Sequence, residues 1–579
     1  MNFKEIVKDK NIHTIYIFVL GFLLLFLYHR YFSFMDEADN MLGALAIIDG
    51  KEIYKDYFAH HTPFVYYFMS IFAFLGVRDY ETFRLCLAIT IFFTCIFLYL
   101  RYSKFFSGNT FKFFIILYSL SLNYTWGQMI LGDVFQGFAL LILLLELLIY
   151  SEIKSLSIKS NIIISGAIFI AVFSAFTSVY PIFIACFCIF SYQIIKSFLR
   201  QESINLKAYF QLISIVAIPF IFFLLYYVIT GNFKNFYEQA FQFNRLYYSN
   251  YINGFGTDSL AVFKDTLVNW FNHIAISLTS INKEGILNSL LIIFNLLFIY
   301  HYYKKDKILS IIIFLFMAYC GLRGYTGFHA LAYYIVSFFC ASFVIQEYLL
   351  NNKEIKEFKM ISIKILTILL FIFSINSYLP NAGANILKSK GAMAQYYYDD
   401  YIQKLSNESD KIWISSLASQ SYIQNHRKPA VRAFTLLPWF LDAWKDEILY
   451  DLKANRPKVI IFERDSDVWG YKYSEFGKVI FDYILSEYIC LNEYDSTERN
   501  VYIRKDYYPT AKRILWPNST QVEEGKLLSD GTKIYKIENG QKRWISSTEA
   551  FQKRGFKWDE VDYSEVKYLQ KIMSGPPID

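Results

Sequence analysis

The chain has 579 residues, of which 55% are hydrophobic, 20% aromatic and 18% charged, with a net charge of +7. Ordinary soluble chains carry about 25% charged residues. The composition therefore excludes a soluble globule, and also a disordered chain or a coiled coil, which need polar and charged residues in quantity. So small a positive excess fits basic loops on the inner side of a membrane better than a nucleic-acid surface.

The first apolar run, 13–32, follows Lys4, Lys8 and Lys10, which sets the N-terminus in the cytoplasm. No small-residue cleavage site follows it, so it reads as a retained helix and not a signal peptide. Segment 33–62 is polar and therefore outside. The apolar piece 63–76 is about 14 residues, roughly 21 Å as a helix against a bilayer core of about 30 Å, and reads as interfacial or re-entrant. Further spans are expected at 82–100, 111–126, 133–150, 161–177, 180–197, 208–229, 284–302, 307–321, 328–348 and 361–379, about eleven in all. Alternate loops carry the basic residues: Arg101, Lys104 and Lys112; Lys154 and Lys159; Lys196, Arg200 and Lys207; Lys304, Lys305 and Lys307; Lys353, Lys356 and Lys359. These share the side of the N-terminus. Segments 33–62, 127–132, 230–283, 322–327 and everything after 380 fall on the other side. Counting 63–76 as a span would break this alternation.

After 380 the long apolar runs stop. KIWISSL (411–417) and KVIIFER (458–464) read as buried strands, and Ile448–Ala454 and Val479–Glu487 as helices. That alternation predicts an extracytoplasmic α/β domain over 381–510. In the last stretch, 511–579, Asp530-Gly531 and Asn539-Gly540 flank a short strand, KIYKIE, and Ser547 caps a short helix. The expectation is a small β-hairpin-plus-helix module, similar to modules appended to exported bacterial proteins. Of seven cysteines, Cys86, Cys95, Cys186, Cys188, Cys320 and Cys340 lie in apolar stretches; with only Cys490 in the polar part, neither a disulfide framework nor a zinc ribbon is expected.

The segment MDEADNMLGALAIIDGKEIYKDYFAHHTPF (35–64) holds Asp36, Glu37, Asp39, Asp49, Glu52, Asp56, His60 and His61 directly after the first span. It reads either as a solvated acidic loop or as a pocket at the bilayer surface, suited to a lipid-linked phosphate. Here the sequence resembles the C-type glycosyltransferases, in the branch of protein O-mannosyltransferases and lipid A aminoarabinose transferase. Asp36-Glu37 resembles that family's Asp-Glu motif. YKDYFAHHTPFVYYF (54–68), LGDVFQGFALL (131–141) and GLRGYTGFHALAYYIV (321–336) resemble three further stretches in the same order. The resemblance covers about 1–380.

It implies a C-type glycosyltransferase fold over 1–380 and an inverting transfer from a polyprenyl-phosphate sugar to a glycan, lipid or protein acceptor on the outer face of a bacterial inner membrane. It casts Asp36 as catalytic base, with Glu37 and Asp133 shaping the catalytic pocket. Arg84 (in FRLCL), Arg323 and His329 would bind the donor phosphate, and His61 and His329, with His60 competing, would hold a divalent metal ion. Simpler readings stand beside these roles: snorkelling at the interface for Arg84 and Arg323, packing for His329, and a helix cap for Asp133. Glu146 lies nearer the cytoplasmic end and is left out. Many relatives carry a Lys where this chain has Thr177-Ser178, and Arg245 or Arg323 would have to compensate. The aromatic segment 231–251 would either line an acceptor groove or lie as an amphipathic interfacial helix. The 381–510 domain would help select the acceptor.

The sequence contains no P-loop, no GxGxxG after a strand, no HExxH and no GxSxG. Competing functions are a flippase for lipid-linked glycans, which needs charges along a mid-membrane path, and a polysaccharide polymerase or ligase, which places its key residues in a late outer loop. This chain gathers its acidic residues and histidines in the first one.

Overall fold

In the computed structural model, six helices among the described residues are long and apolar enough to cross a membrane: Tyr80–Phe106, Gly132–Ile153, Phe176–Leu199, Lys207–Ile229, Gly285–Lys305 and Phe328–Tyr348. The structure describes residues 9–29, 35–155, 157–199, 201, 206–251, 259–280, 283–325, 327–350, 396–491, 493–494, 500–516, 524–564 and 566–579. Along Lys207–Ile229 the large side chains of Phe210, Phe222 and Ile229 are exposed. Such a surface is stable against lipid and not against water, which marks an integral membrane protein.

The expected spans 13–32, 161–177 and 307–321 form shorter apolar helices, and 111–126 forms the helix Gly108–Thr125. The expected span 361–379 lies outside the described residues. Segment 63–76 forms an 11-residue helix, Phe64–Phe74, about 16 Å long and too short to span. The helix Ser259–Thr279 escaped the sequence reading. Lys264, Asp265, Asn269, Asn272 and His273 interrupt its apolar residues, so it has no continuous apolar run.

Two spans form the centre of this helical unit. Gly132–Ile153 and Phe328–Tyr348 are each 89% buried over their most apolar stretch. They meet closely at Gly137, where a Cβ would lie 2.5 Å from Ile335 Cδ1 and 3.1 Å from the Ala332 Cα. A larger residue there would push Ile335 aside and crowd the Ala332 backbone. At one end of the bundle, ion pairs tie the helices together: Arg101 to Glu146 at 2.9 Å, with Tyr102 donating to the same carboxylate, and Lys196 to Asp306 at 2.8 Å. Glu146, set aside from the site on sequence, thus belongs to this end. Asp133 opens the same helix 13 residues earlier and lies at the other end.

The chain divides into two units, Met1–Met393 and Ala394–Asp579. The second contains a mixed five-stranded sheet in the order Lys428–Pro429, Lys411–Ile414, Val459–Ile461, Val501–Arg504, Tyr488–Cys490. Its first three strands are parallel and the last two pair antiparallel. Ile412, Trp413 and Ile414, with Val459, Ile460 and Ile461, are fully buried, as expected of runs lying in a covered sheet. Helix Lys478–Glu487 follows the sequence expectation, whereas the helix expected at Ile448–Ala454 begins ten residues earlier and runs Pro438–Asn455.

A second five-stranded sheet is built from 527–578. Its central hairpin turns at Asn539 and Gly540, both with positive φ (55° and 69°), as a two-residue hairpin loop requires. Ser547 Oγ accepts from the Ala550 N–H at 3.1 Å and caps Thr548–Lys553. Ser547→Ala is expected to cost about 1 kcal/mol, read as faster amide exchange confined to 548–553.

Candidate active site

The helix Met35–Ile48 carries Asp36 and Glu37 in its first turn, where acidic side chains complement the helix dipole. It ends at Gly50 (φ 79°), whose N–H donates to the Ile47 carbonyl at 3.0 Å. The chain then makes a tight turn in which Tyr54, fully buried, adopts φ 76°. That is a costly conformation for a tyrosine, retained only where surroundings impose it. Its hydroxyl donates to the His61 carbonyl at 2.8 Å and fixes the His60-His61 pair, whose rings lie 4.0 Å apart.

The segment 232–244 pins this loop from outside through three amide side chains. Asn232 donates to the Ile53 carbonyl at 2.8 Å, and Asn244 to the His60 carbonyl at 2.8 Å. Gln239 accepts from the Ala59 N–H and donates to the Tyr54 carbonyl. The segment is a chain of short helical turns joined by a π-turn, Glu238–Phe243, and not one free amphipathic helix. Phe58, Phe243 and Tyr248 surround the His60 ring.

The two central spans deliver the next residues. Asp133 is buried in the first turn of its helix, and Leu131 occupies the cap position, so Asp133 is not the cap considered on sequence grounds. Instead it accepts from Arg323 Nη1 at 2.8 Å, and His329 Nδ1 stands 3.8 Å from the same oxygen. Arg323 is 24% exposed and His329 38% exposed, so both present surface to a ligand. The positive charge of Arg323 is felt by Asp36, His60, His61 and Tyr248. The structure thus gathers Asp36, His61, Asp133, Arg323 and His329 into one electrostatic neighbourhood.

Glu37 and Arg84 correct the sequence reading. Both side chains are 0% exposed and ion-paired with each other. Arg84 Nε donates to Glu37 at 2.9 Å and Arg84 Nη1 to the His29 carbonyl at 3.2 Å, while Tyr80 and the Ile130 N–H donate to Glu37. A guanidinium so enclosed offers no face to a phosphate, and the Glu37 carboxylate offers none to a substrate. Together they lock the helix Met35–Ile48 to the span Tyr80–Phe106 and to the approach to Gly132.

Asp36 is half-buried, and its carboxylate has no hydrogen-bond or ion-pair partner among the described residues. Burial, then the neighbouring charge of Asp39, push its pKa up to about 7, against the lowering pull of Arg323. Asp39, which the sequence reading passed over, is buried, accepts from Tyr57 at 2.6 Å and Tyr66 at 2.9 Å, and is raised to about 6, chiefly by burial. Its spacing of three from Asp36 was the available signal; the amide clamps of 232–244 had none. Burial and the Arg323 charge hold His61 down at about 4, so its ring is neutral near pH 7 and able to donate or accept a hydrogen bond.

Among the described residues no three His, Cys, Asp or Glu side chains stand close enough together to hold a metal ion. His61 and His329, the expected ligands, form no such set, and the Asp133 oxygen facing His329 already accepts from Arg323. Thr177 and Ser178, where a lysine was expected, lie in a short 3-10 turn, and Ser178 donates to the Ala171 carbonyl. Arg245 is exposed on the aromatic segment.

No family model and no curated protein matches this sequence. Solved structures similar in chain course include the archaeal oligosaccharyltransferase AglB from Archaeoglobus fulgidus in complex with an inhibitory peptide and a dolichol-phosphate (11% identity, 93% of this chain and 75% of that one, TM-score 0.43). They include an Archaeoglobus fulgidus oligosaccharyltransferase in complex with Zn and sulfate (12% identity, 77% and 67%, TM-score 0.42). A third is ArnT from Cupriavidus metallidurans bound to undecaprenyl phosphate (11% identity, 76% and 88%, TM-score 0.41).

Proposed function

We propose that the chain is an inverting membrane glycosyltransferase. It takes a sugar from a polyprenyl-phosphate donor and passes it to a glycan, lipid or protein acceptor at the outer surface of the inner membrane. The observation that carries this reading is the unpartnered Asp36 carboxylate, of raised proton affinity, in the field of Arg323 at the end of the apolar bundle away from the basic loops. A carboxylate that binds a proton near pH 7 is suited to take one from an attacking hydroxyl or amine.

The acceptor oxygen or nitrogen forms a bond to the anomeric carbon while its proton passes to Asp36. The bond from that carbon to the phosphate oxygen breaks, and its electron pair leaves with the phosphate on the opposite face, inverting the centre. Arg323 stabilises the departing phosphate charge. Asp133 aims Arg323, and His61 and His329 supply neutral hydrogen-bonding groups beside it. Glu37 and Arg84 position the helix that bears the base. His60 and Tyr248, half-buried and backed by Phe58 and Phe243, offer ring faces on which a sugar can stack. The 381–510 domain contributes to acceptor choice.

A flippase would need charge along a mid-span path, whereas these groups gather at helix ends. Purified protein incubated with a panel of polyprenyl-phosphate hexoses and pentoses, with product masses read out, tests the proposal; transfer from none of them would overturn it. Because Asp36 must be ionised to act, the transfer rate is expected to rise with pH through a midpoint near 7. A rate flat between pH 5 and 9, or falling as pH rises through 7, would contradict Asp36 as base.

A further inference from the structure

Three other carboxylates act on Asp36. Glu37 is neutralised by the buried Arg84, and Asp133 by Arg323. Asp39 alone has no cation among the described residues. Its two oxygens accept from uncharged donors only, Tyr57 at 2.6 Å and Tyr66 at 2.9 Å. It lies one helical turn after Asp36 on the same helix, a spacing at which side chains are neighbours. Both tyrosines come from beyond this helix: Tyr57 from the loop after it and Tyr66 from the helix Phe64–Phe74, which packs against it. The Tyr66 ring closes on Gly43, where a Cβ would stand 2.4 Å from it. The fold thus spends two hydroxyls and a glycine on aiming one carboxylate.

We infer that Asp39 is a positioning residue for Asp36: a like charge one turn away, aimed by two tyrosine hydroxyls, which makes Asp36 the carboxylate that accepts the acceptor's proton. The physical basis is that two neighbouring carboxylates resist ionising together, so the one given hydrogen-bond donors ionises first and the other holds its proton longer. Tyr57 and Tyr66 assign the first role to Asp39. The pull in the opposite direction comes from Arg323, and Asp133, Glu37, Tyr66 and Tyr248 are further charged or titratable groups that interact with Asp36. Direct measurement of the pair is macroscopic, since the two titrate together.

The inference rests on Asp36 being the base, and the experiment separates the two. Infrared difference spectra of the purified full chain, taken across pH without substrate, report the protonated carboxyl band. The wild type is expected to lose a band with a midpoint near 7, and Asp36→Asn to lack it. In Asp39→Asn the band should persist but titrate about one pH unit lower. Tyr57→Phe and Tyr66→Phe should move it the same way, because an Asp39 deprived of a donor keeps its own proton and no longer repels charge on Asp36. These two variants keep the ring and serve if Asp39→Asn does not fold. The acidic limb of the transfer rate, measured with the polyprenyl-phosphate sugar that the wild type uses, should follow the same shifts. A band and limb unmoved in all three variants, or moved to higher pH, overturn the inference. Full transfer by Asp36→Asn would instead overturn the base assignment while the infrared shifts stand.

Discussion

Replacing Asp36 with Asn is expected to abolish sugar transfer from polyprenyl phosphate, by about 10²- to 10⁴-fold at the least, while the protein inserts and folds as before. Asn has the same shape but cannot accept a proton. The carboxylate has no structural partner among the described residues, and its half-burial in an acidic neighbourhood makes ionisation unfavourable for the folded chain. Loss of activity without loss of stability is the signature of a residue kept for chemistry. The measurement pairs product formation with thermal unfolding in detergent. Full transfer by Asp36→Asn would sink the proposed mechanism, and a collapse in melting temperature would make Asp36 a structural residue.

Arg84→Met should show the reverse pattern. The guanidinium serves Glu37 and the His29 carbonyl from a fully buried position. Removing it leaves the Glu37 carboxylate buried without a cation, a change that costs roughly 3–5 kcal/mol. Tyr80 and the Ile130 N–H remain as donors but carry no charge. Thermal unfolding of the purified protein should fall sharply. Adding Glu37→Gln to Arg84→Met should recover part of the loss, because the stranded charge is then gone; that non-additivity is what a double-mutant cycle measures. If Arg84→Met melted like the wild type and lost only donor affinity, Arg84 would be a phosphate ligand after all.

Several features were legible because they depend on local chemistry. Apolar run length revealed the helices, since a span must bury about 20 residues' backbone in lipid. The Asn539-Gly540 hairpin and the Ser547 cap followed from backbone preferences of single residues. Asp36, Asp133, Arg323 and His329 were marked as charged or titratable groups where apolar spans begin or end, and the structure brings them to one neighbourhood.

Partner choice was not legible. Glu37 and Arg84 lie 47 positions apart, and only the fold shows that each consumes the other. Asp133 and Arg323 lie 190 positions apart. The clamp of 232–244 on 53–60 joins residues some 180 positions apart through amide side chains that carry no periodic signal.

The sequence by itself determined that this is a helical membrane protein with an α/β C-terminal part, because hydrophobic run length and turn chemistry act over a few residues. It also determined that the acidic and histidine groups gather after the first span. Only the tertiary structure decided which of those charges are spent on holding helices together and which have no partner among the described residues. The reason is that a buried charge is tolerated only with a partner, and the partner is chosen by packing across the whole bundle. By that rule Glu37 and Arg84 became a brace, Arg323 was aimed by Asp133, and Asp36 was left with a carboxylate that nothing in the described fold uses.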